Sequence, residues 1–403
     1  MDRRDADNTF EVAIVGGALV GAALARALRG TRLAMVAKER PREPAAEAGF
    51  DSRVYAVSPA NAAFLAGLGA WRHVPEARRT PVRAMRIYGD DGASALEFDA
   101  YRAGYGELAW IVEDGWLQAG LWRELEAQEG LARFEAAALR GLEFGGTHAL
   151  LALQDGRELR ARLVVGADGA RSPVRQLAGI ASEDSDYGQT AVVANFACGR
   201  PHRGVAYQWF QGPAMEGAVL ALLPLPGEHV SMVWSAGEAQ AARLLAMEPA
   251  ALAREVAAAS KDAVGELALV TAPQSFPLQR LATRKLVAAR LSLAGDAAHV
   301  VHPLAGQGAN LGLQDAHALA AVLNGREPGR DPGDERLLRR YERARAEDIL
   351  AMRATVHGLQ RLFDARGGGI ARLRNAGLGL VDRLPVLKNL LMRRAMGLQR
   401  GST

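Results

Sequence analysis

The stretch LSLAGDAAHVVHPLAGQGANLGLQDAHALAAV spans residues 291–322, and the rest of the chain can be interpreted outward from it. Its apolar start, Leu291–Ala294, predicts a short buried strand that ends at Gly295. Asp296 then stands at the carboxyl end of a strand, where open α/β sheets bind their ligands. Residues 301–308 predict an uncharged loop with two glycines, and apolar spacing predicts a helix from about Asn310.

The glycine-rich loop before this helix predicts a place where an anion is stabilised. The first N–H groups of a helix have no intrahelical partner, and the helix dipole is positive at that end. Such an end stabilises negative charge placed against it. A reduced flavin is anionic at N1, so this arrangement suits an isoalloxazine ring. The Gly295-Asp296 dipeptide alone is an ordinary turn signal.

The whole string GDAAHVVHPLAGQGANLGLQD, residues 295–315, carries a far more specific signal. It resembles the second flavin motif of FAD-dependent aromatic hydroxylases (class A flavin monooxygenases), in particular their ubiquinone-biosynthesis branch. The resemblance implies that Asp296 holds the ribityl chain of FAD and that the following loop lies along the flavin ring. The cofactor-binding candidates in that loop are Pro303, Gly306, Gln307, Gly308 and Asn310.

A second motif begins near the N-terminus. The apolar run Glu11–Val15, a glycine turn, a small-residue helix and the apolar run Leu33–Ala37 give the strand–turn–helix–strand context of a dinucleotide fingerprint. Alanine replaces the fingerprint's second glycine and adds a methyl group where the backbone approaches the pyrophosphate. A carboxylate ends the second strand, where it can bind ribose hydroxyls. The candidates are Gly16, Gly17, Ala18, Gly21 and Glu39; the alternative is helix-packing glycines and a solvated glutamate.

Two shorter segments also match the ubiquinone-hydroxylase branch. Asp51-Ser52-Arg53, followed by a predicted helix that runs to Trp71, implies that Arg53 lies against the flavin and pyrophosphate. A surface salt bridge is the alternative for an arginine considered alone. Residues 111–118 occupy the place of the family's E-N-x-x-L-Q segment, with Asp114 in place of Asn. Only Gln118 is therefore carried over as a cofactor contact.

The third motif is the apolar strand that ends in Ala167-Asp168-Gly169. Ser172 can cap the next helix, with Pro173 at its first position. The segment is similar to the DG motif of flavin hydroxylases. That resemblance places Asp168 near the pyrophosphate and links the motif to use of a nicotinamide cofactor. The three motifs occur in the family's order along the chain.

Residues 189–236 change character, because alternating and apolar runs are separated there by Gly and Pro. They predict an antiparallel sheet, to which residues 80–105 add strands. In the resembled family this sheet forms a roof over the substrate, so Tyr207 and Trp209 are candidates for the pocket wall, with core packing as the alternative. His302 is predicted to pack beside the flavin loop. His299 and His302 lack a carboxylate or cysteine at ligand spacing, so no metal site is predicted.

The predicted fold class is α/β, with a Rossmann-like FAD-binding domain, an inserted antiparallel-sheet substrate domain as in p-hydroxybenzoate hydroxylase, and a helical C-terminus. The FAD-binding domain is discontinuous, and the inserted segments form the substrate domain. The predicted ranges are 1–80, 106–188 and 276–335 for FAD binding, 81–105 and 189–275 for the substrate domain, and 336–403 for the helical region.

Composition restricts the function further. Hydrophobic residues make up 49% of the chain and charged residues 23%, as in a globular protein. Cys198 is the single cysteine, which excludes an internal disulfide and fits a reducing compartment. The charged N-terminus lacks the apolar segment of a secretion signal, and no apolar run reaches spanning length. These observations predict a cytoplasmic protein.

The net charge of +4 is concentrated in residues 381–403, which leaves the rest of the chain neutral. A neutral body argues against a nucleic-acid groove. Residues 387–396 mix apolar and basic side chains at roughly helical spacing. Two interpretations stay open: contact with the inner-membrane surface or with biosynthetic partners, and packing on the cofactor domain.

The resemblance implies an FAD- and NAD(P)H-dependent hydroxylase of a prenylated phenol on the way to ubiquinone. No second dinucleotide fingerprint occurs in a strand–helix context, so the flavin carries the chemistry: hydride uptake, O₂ addition at C4a and oxygen transfer to the ring. No catalytic side chain is assigned for that reason. The alternatives are hydroxylation of another aromatic metabolite, flavin halogenation (its W-x-W-x-I-P signature is missing), prenyl-chain reduction, and a flavin-binding scaffold subunit.

Overall fold

The computed structural model describes residues 8–45, 49–90, 95–211, 218–300, 307–364 and 396–397. Within these ranges the side chains of 307 and 352–364 are not described. The strands, in chain order, are β1 (Thr9–Val15), β2 (Leu33–Val36), β3 (Val54–Val57), β4 (Thr80–Val82), β5 (Ala84–Tyr88), β6 (Ala95–Asp99), β7 (Ala109–Glu113), β8 (Leu131–Phe134), β9 (Leu139–Phe144), β10 (Ala149–Leu153), β11 (Glu158–Gly166), β12 (Ser182–Cys198), β13 (Val205–Phe210), β14 (Val219–Leu225), β15 (His229–Gly237), β16 (Leu267–Leu269), β17 (Gln274–Thr283), β18 (Val287–Ala288), β19 (Leu291–Leu293) and β20 (His299–Val300).

The helices start where the sequence supplies caps and apolar spacing. Ser172 accepts a hydrogen bond from the Arg175 N–H at 2.9 Å, with Pro173 at the first helical position, as predicted. Ser58 does the same for the Asn61 N–H at 3.4 Å. The α-helices are α1 (Leu19–Ala27), α2 (Pro59–Gly67), α3 (Asp114–Glu126), α4 (Pro173–Leu177), α5 (Glu238–Leu245), α6 (Pro249–Ala259), α7 (Gln307–Asn324) and α8 (Glu335–Asp364).

The first sheet is Rossmann-like and parallel at its centre, in the order β8-β2-β1-β11-β19. Its register aligns the carboxyl ends of three strands, because Val15 pairs with Gly166 and Gly166 pairs with Leu293. These strand ends lead directly into the three predicted motifs. Side chains of the central strands are almost fully buried, so burial of apolar surface stabilises the arrangement of the carboxyl ends of β1, β11 and β19.

The second sheet has the order β20-β17-β12-β15-β14-β13-β5-β6, with β16 beside β12. It includes β5 and β6, which confirms that residues 80–105 add strands to it. Its pairs are antiparallel except β13 with β5, which are parallel, so the predicted antiparallel sheet is confirmed with one parallel pair in it. Strands β5 and β13 are more than a hundred residues apart in the sequence, so no hairpin sets their relative direction.

The predicted domain limits at residues 188–189 and 275–276 fall inside the long strands β12 and β17. Both strands belong to the second sheet, where residues Ser182–Asp186 of β12 pair with residues Gln279–Thr283 of β17. Residues that the sequence assigns to the FAD-binding domain therefore continue as strands of the second sheet. The division into domains stays a prediction.

Two helix ends differ from the sequence prediction. Helix α7 begins at Gln307 rather than near Asn310, because its first turn, Gln-Gly-Ala, contains no large apolar residue that could reveal the helical spacing. Helix α2 ends at Gly67 rather than at Trp71. Gly69 has a left-handed φ of 86°, which ends the helical path, and Trp71 lies in a 3₁₀ turn.

Candidate active site

A cavity of about 2980 Å³ lies between the carboxyl edge of the first sheet and one face of the second sheet. Its wall contains the glycine turn after β1, the ends of β2 and β11, the Asp296 turn and the start of α7. On the opposite side its wall is the second sheet, from β6 across to β17. All three sequence motifs therefore face one cavity, and the second sheet covers that cavity on the other side.

The glycine turn after β1 is too closely packed for side chains. Gly16 has φ of 118°, and a Cβ there would lie 2.0 Å from the Ala167 carbonyl oxygen. A Cβ at Gly21 would lie 1.9 Å from the Gly16 carbonyl oxygen. Gly16, Gly17 and Ala18 line the cavity. Gly21 instead lets α1 pack against the turn, because any side chain at this position would overlap the protein backbone.

The N-terminus of α1 faces the same cavity without a side-chain cap. Ala18 is its N-cap residue and makes no side-chain hydrogen bond to the first turn. The first N–H groups of the helix therefore have no side-chain acceptor, which is the arrangement that suits a bound phosphate. Glu39 is exposed and lines the cavity just beyond β2.

Asp168 lines the cavity and carries one carboxylate oxygen without a hydrogen-bond partner. Its Oδ2 accepts a hydrogen bond from the Val174 N–H at 3.0 Å, whereas its Oδ1 is buried without a partner among the described residues. Burial raises the pKa of this carboxyl, and the hydrogen bonds from Ser172 and Val174 only partly oppose that effect. A buried acceptor without a donor is costly unless a ligand or water supplies one.

Asp296 follows β19 in the turn Gly295–Ala297. Its side chain is open to the cavity, yet the cavity itself lies deep within the protein. Burial therefore raises the pKa of Asp296, and the nearby His299 and Arg53 oppose the rise. A carboxylate in this position can accept hydrogen bonds from hydroxyl groups in the cavity.

A buried network holds the Asp296 turn in place. Asp315 on α7 accepts a hydrogen bond from the Gly295 N–H at 2.9 Å and contacts His299 Nε2 at 2.6 Å through the same oxygen. Its other oxygen accepts from Arg345 Nε on α8 at 2.7 Å. Sequence reasoning missed Asp315 and Arg345, although Asp315 ends the quoted flavin motif. Arg345 carries no local signal, because only the packing of α8 brings it here.

Arg53 lines the cavity in a cluster of polar side chains. Its Nη1 lies 3.8 Å from Asp114 Oδ2, and its guanidinium lies 5.1 Å from the ring centroid of Phe276. Gln118 also lines the cavity, and its Nε2 donates to Asp114 Oδ1 at 2.7 Å. Burial raises the pKa of Asp114, while Gln118 and Arg53 oppose the rise. The aspartate that replaces the family's Asn is thus engaged with both predicted cofactor contacts.

The loop that carries Arg53 is anchored by Asp51, another residue that sequence reasoning missed. Asp51 Oδ1 accepts from the Arg53 N–H at 3.0 Å, and the Asp51 N–H donates to Glu113 Oε1 at 2.7 Å. The fully buried Asn195 on β12 donates from Nδ2 to the Asp51 carbonyl at 2.9 Å. These bonds fix the loop to β7, which belongs to a three-stranded sheet of the order β3-β7-β4, and to β12 of the second sheet, and so set the position of the Arg53 guanidinium.

The roof over the cavity is one face of the second sheet, here called the inner face. Side chains alternate across a strand, so neighbouring residues point to opposite faces. The inner face carries Leu96, Phe98, Met85, Ile87, Ala206, Gln208, Phe210, Val219, Ala221, Leu223, Val233, Ser235, Ala191, Val193, Phe276 and Leu278, all of which line the cavity. The opposite face packs with α5 and α6 into a separate apolar core. The inner face is therefore strongly apolar.

Tyr207 and Trp209 were the predicted wall residues. Tyr207 does line the cavity, but its ring stacks on Trp209 with centroids 5.6 Å apart, and both belong to the apolar core on the opposite face. Trp209 thus follows the core-packing alternative. Gln208, the residue between them, faces the cavity and was missed, because periodicity alone does not tell which face of a strand is inward.

The comparisons with known proteins agree with this geometry. The FAD binding domain family matches residues 120–354. Ubiquinone hydroxylase UbiL of Rhodospirillum rubrum is 38% identical over 97% of this chain and 90% of that protein. The chain belongs to this family of FAD-dependent hydroxylases. The 3-demethoxyubiquinol 3-hydroxylase of Escherichia coli is 35% identical over 96% of this chain and 98% of that protein.

Solved structures confirm the fold. PqsL, a probable FAD-dependent monooxygenase from Pseudomonas aeruginosa, matches with a TM-score of 0.73 at 24% identity, over 92% of this chain and all (100%) of that one. An HpxO variant from Klebsiella pneumoniae complexed with FAD matches with a TM-score of 0.73 at 16% identity, over 97% and 99%. Together with the family match and the curated relatives, they confirm the predicted family, the α/β fold with a parallel and an antiparallel sheet, the monooxygenase class and the FAD cofactor.

The residues present fit FAD. The hydroxylase offers an uncapped helix end for the pyrophosphate, a glycine turn that a Cβ would fill, an unpartnered buried oxygen on Asp168 and a carboxylate at Asp296 open to the cavity. Gly308 also lines the cavity at the start of α7. The assignment of individual contacts to FAD stays a prediction.

Asn310 makes buried contacts within the protein, and its predicted contact with the cofactor stays a prediction. Its Oδ1 accepts from the Ser58 N–H at 2.9 Å and from Asn61 Nδ2 at 2.8 Å, while its Nδ2 donates to the Ala56 carbonyl at 2.7 Å. The side chain is 2% exposed and ties α7 to the junction of β3 and α2. It supports the cavity wall from behind.

Several predicted residues cannot be placed. His302, Pro303 and Gly306 lie outside the described residues, and Gln307 is described only as the first backbone residue of α7. Most of the basic tail also lies outside them. Within the described ranges, each helix is too short or too polar to span a lipid bilayer.

Proposed function

We propose that this protein hydroxylates the aromatic ring of a prenylated phenol in ubiquinone biosynthesis, with FAD as cofactor, NAD(P)H as electron donor and O₂ as co-substrate. The observation that carries the proposal is the apolar inner face above the predicted flavin site. A ring with a long hydrocarbon chain can bury its surface there, and each buried CH₂ contributes about 0.8 kcal/mol. The named activities of the two curated relatives support the same substrate class.

The chain's part in the reaction is to bind, orient and exclude water. When bound, FAD supplies hydride acceptance from NAD(P)H and O₂ activation. Asp296 would accept hydrogen bonds from cofactor hydroxyls, Asp168 would lie near the pyrophosphate bound at the N-terminus of α1, and Arg53 would stabilise negative charge beside the ring. The apolar side chains of the inner face exclude water from the space where oxygen transfer occurs.

The location of the reaction is part of the same proposal. A prenylated phenol partitions into a membrane, so we propose a cytoplasmic enzyme that meets its substrate at the inner-membrane surface or on partners of a biosynthetic complex. The basic and apolar residues at 387–396 are the segment proposed for that contact.

The decisive experiment supplies the FAD-loaded enzyme with NAD(P)H, a prenylphenol and ¹⁸O₂. We expect one labelled oxygen atom in the hydroxylated product. Label found only in water and peroxide would contradict the hydroxylase function and would favour the scaffold alternative. Labelled product from simple phenols but not from prenylphenols would instead indicate hydroxylation of another aromatic metabolite.

A further inference from the structure

Among the inner-face side chains that line the cavity, two are polar, Gln208 and Ser235. Gln208 is the more central, since the strand register places it between Ile87 on β5 and Ala221 on β14. Val233 pairs with Ala221 one strand further on. The amide therefore stands in a row of apolar side chains that crosses the roof of the cavity.

The Gln208 amide has donors and an acceptor to satisfy, yet the residue is only 4% exposed. No hydrogen bond joins its side chain to another residue in the described part of the chain. Neither amide atom is among the buried side-chain atoms that lack a partner, so both open to the cavity that Gln208 lines. Ser235 cannot serve as its partner, because it lies two strands away, about 9–10 Å across the sheet, and in the row of Phe210 rather than that of Gln208. The amide therefore offers its donors and its acceptor to a molecule in the cavity.

We propose that Gln208 determines substrate specificity by hydrogen-bonding the oxygen of the substrate's aromatic ring. This proposal rests on the function proposed above. An amide can accept a hydrogen bond from a ring hydroxyl through Oε1 and donate one to a ring oxygen through Nε2. The apolar residues on either side of Gln208 pack against the ring and its hydrocarbon chain. Gln208 thereby fixes which ring position faces the cofactor.

The discriminating test uses two probes, a prenylphenol and the matching prenylbenzene, which differ only in the ring hydroxyl. Their dissociation constants are measured on the FAD-loaded enzyme by calorimetry and by changes in the bound-flavin absorbance. We expect Gln208→Leu to weaken prenylphenol binding roughly tenfold and to leave prenylbenzene binding unchanged. Gln208→Met, of similar length and volume, serves as the second variant.

The matched control is Tyr88→Phe, which removes a hydroxyl from the opposite face of the sheet, where the Tyr88 ring on β5 stacks on Trp209. We expect it to leave the preference for prenylphenol intact. Because prenylbenzene binding reports an intact cavity, a folding defect cannot imitate the expected result. Product analysis should also show a mixture of ring positions for Gln208→Leu and a single position for Tyr88→Phe.

The outcomes separate this proposal from the one on which it rests. If the wild type binds and hydroxylates the prenylphenol but both Gln208 variants keep the full preference, the role of Gln208 is refuted and the function stands. If the wild type binds neither probe and gives no labelled product, the proposed function fails and the role of Gln208 fails with it.

Discussion

Asp315 on α7 and Arg345 on α8 form a buried ion pair, with Arg345 Nε 2.7 Å from Asp315 Oδ1. The side chain of Arg345 is 3% exposed and that of Asp315 is 0% exposed. The same carboxylate accepts the Gly295 N–H and contacts His299. The pair therefore connects the long helix α8 to the turn that presents Asp296 to the cavity. The position of the Asp296 carboxylate, which opens to the cavity, thus depends on α8 through Asp315.

Removing one partner of this pair should lower the free energy of unfolding far more than removing both partners. Arg345→Met leaves a buried carboxylate without its cation, and we expect a loss of about 3–5 kcal/mol in the free energy of unfolding. The double variant Asp315→Asn, Arg345→Met should lose less than the single one. Urea unfolding measures both. The matched control is Arg339→Met on the same helix. Arg339 forms an exposed pair with Glu335, so this change should lower the free energy of unfolding by less than about 1 kcal/mol.

The stability contributed by Asp315 should depend on pH in a defined direction. Burial alone would raise the pKa of this carboxyl, but His299 and Arg345 more than offset burial and hold the pKa below its ordinary value of 3.8. A lowered pKa contributes stability above the unfolded value, and this is lost as pH falls through the folded value. The stability gap between wild type and Asp315→Asn should therefore narrow below about pH 4. A gap that is constant from pH 7 to pH 3 would contradict this assignment.

Asp296→Ala should weaken FAD binding. The cofactor hydroxyls would lose a charged acceptor worth ~1.5–3 kcal/mol, which corresponds to a dissociation constant about ten- to hundredfold higher. Titration of apoprotein with FAD, followed by flavin fluorescence, measures the change. Asp155→Ala is the control, because Asp155 sits exposed on a hairpin with Arg157 as its partner. Wild-type affinity in Asp296→Ala would show that this carboxylate does not hold the cofactor.

The sequence predicted those parts of the site that are encoded locally. The turn at Gly16, the Ser172 cap and the strand that ends before Asp296 each follow from a few adjacent residues, and the structure confirms their local form. Arg345 and Asn195 were missed because each acts through a contact distant in sequence, with Asp315 and Asp51 respectively. No spacing rule encodes such pairings.

Gln208 was missed for a different reason. Its strand was predicted with the observed limits, Val205–Phe210, but the apolar and aromatic residues on it alternate with others that are also largely apolar. When both faces of a strand are buried, the pattern does not reveal which one faces a cavity. The packing of α5 and α6 shows which face of β13 is which: Tyr207 lies on the face that packs against these helices, and Gln208 lies on the face toward the cavity.

A glycine substitution tests the turn beneath the predicted pyrophosphate site. Gly16→Ala should abolish FAD retention and lower the melting temperature, because its Cβ would overlap the Ala167 carbonyl and φ of 118° is strained for alanine. Gly67→Ala is the control, since nothing lies within 4 Å of a Cβ there. A Gly16→Ala protein that keeps its FAD would show that the turn can relax.

The C-terminal segment has one structural anchor in the described residues. Met396 is 1% exposed, and its carbonyl accepts the Ala60 N–H at 3.5 Å. A Cβ at Gly397 would lie 3.1 Å from the Ala60 Cβ. At this point the chain packs on the cofactor domain. Deleting residues 384–403 would therefore remove a core contact as well as the basic side chains, and the two effects must be measured apart.

Substituting the charges alone separates them. Arg393→Ala with Arg394→Ala keeps Met396, and we expect weaker binding to anionic vesicles with unchanged FAD content. Each arginine near a membrane surface contributes about 1 kcal/mol, so the vesicle partition coefficient should fall roughly thirtyfold for the pair. Met396→Asp should instead lower the melting temperature, because it buries a carboxylate without a partner. Equal vesicle binding by the arginine variant and the wild type would refute the membrane role and leave contact with biosynthetic partners or packing on the cofactor domain as the function of the tail.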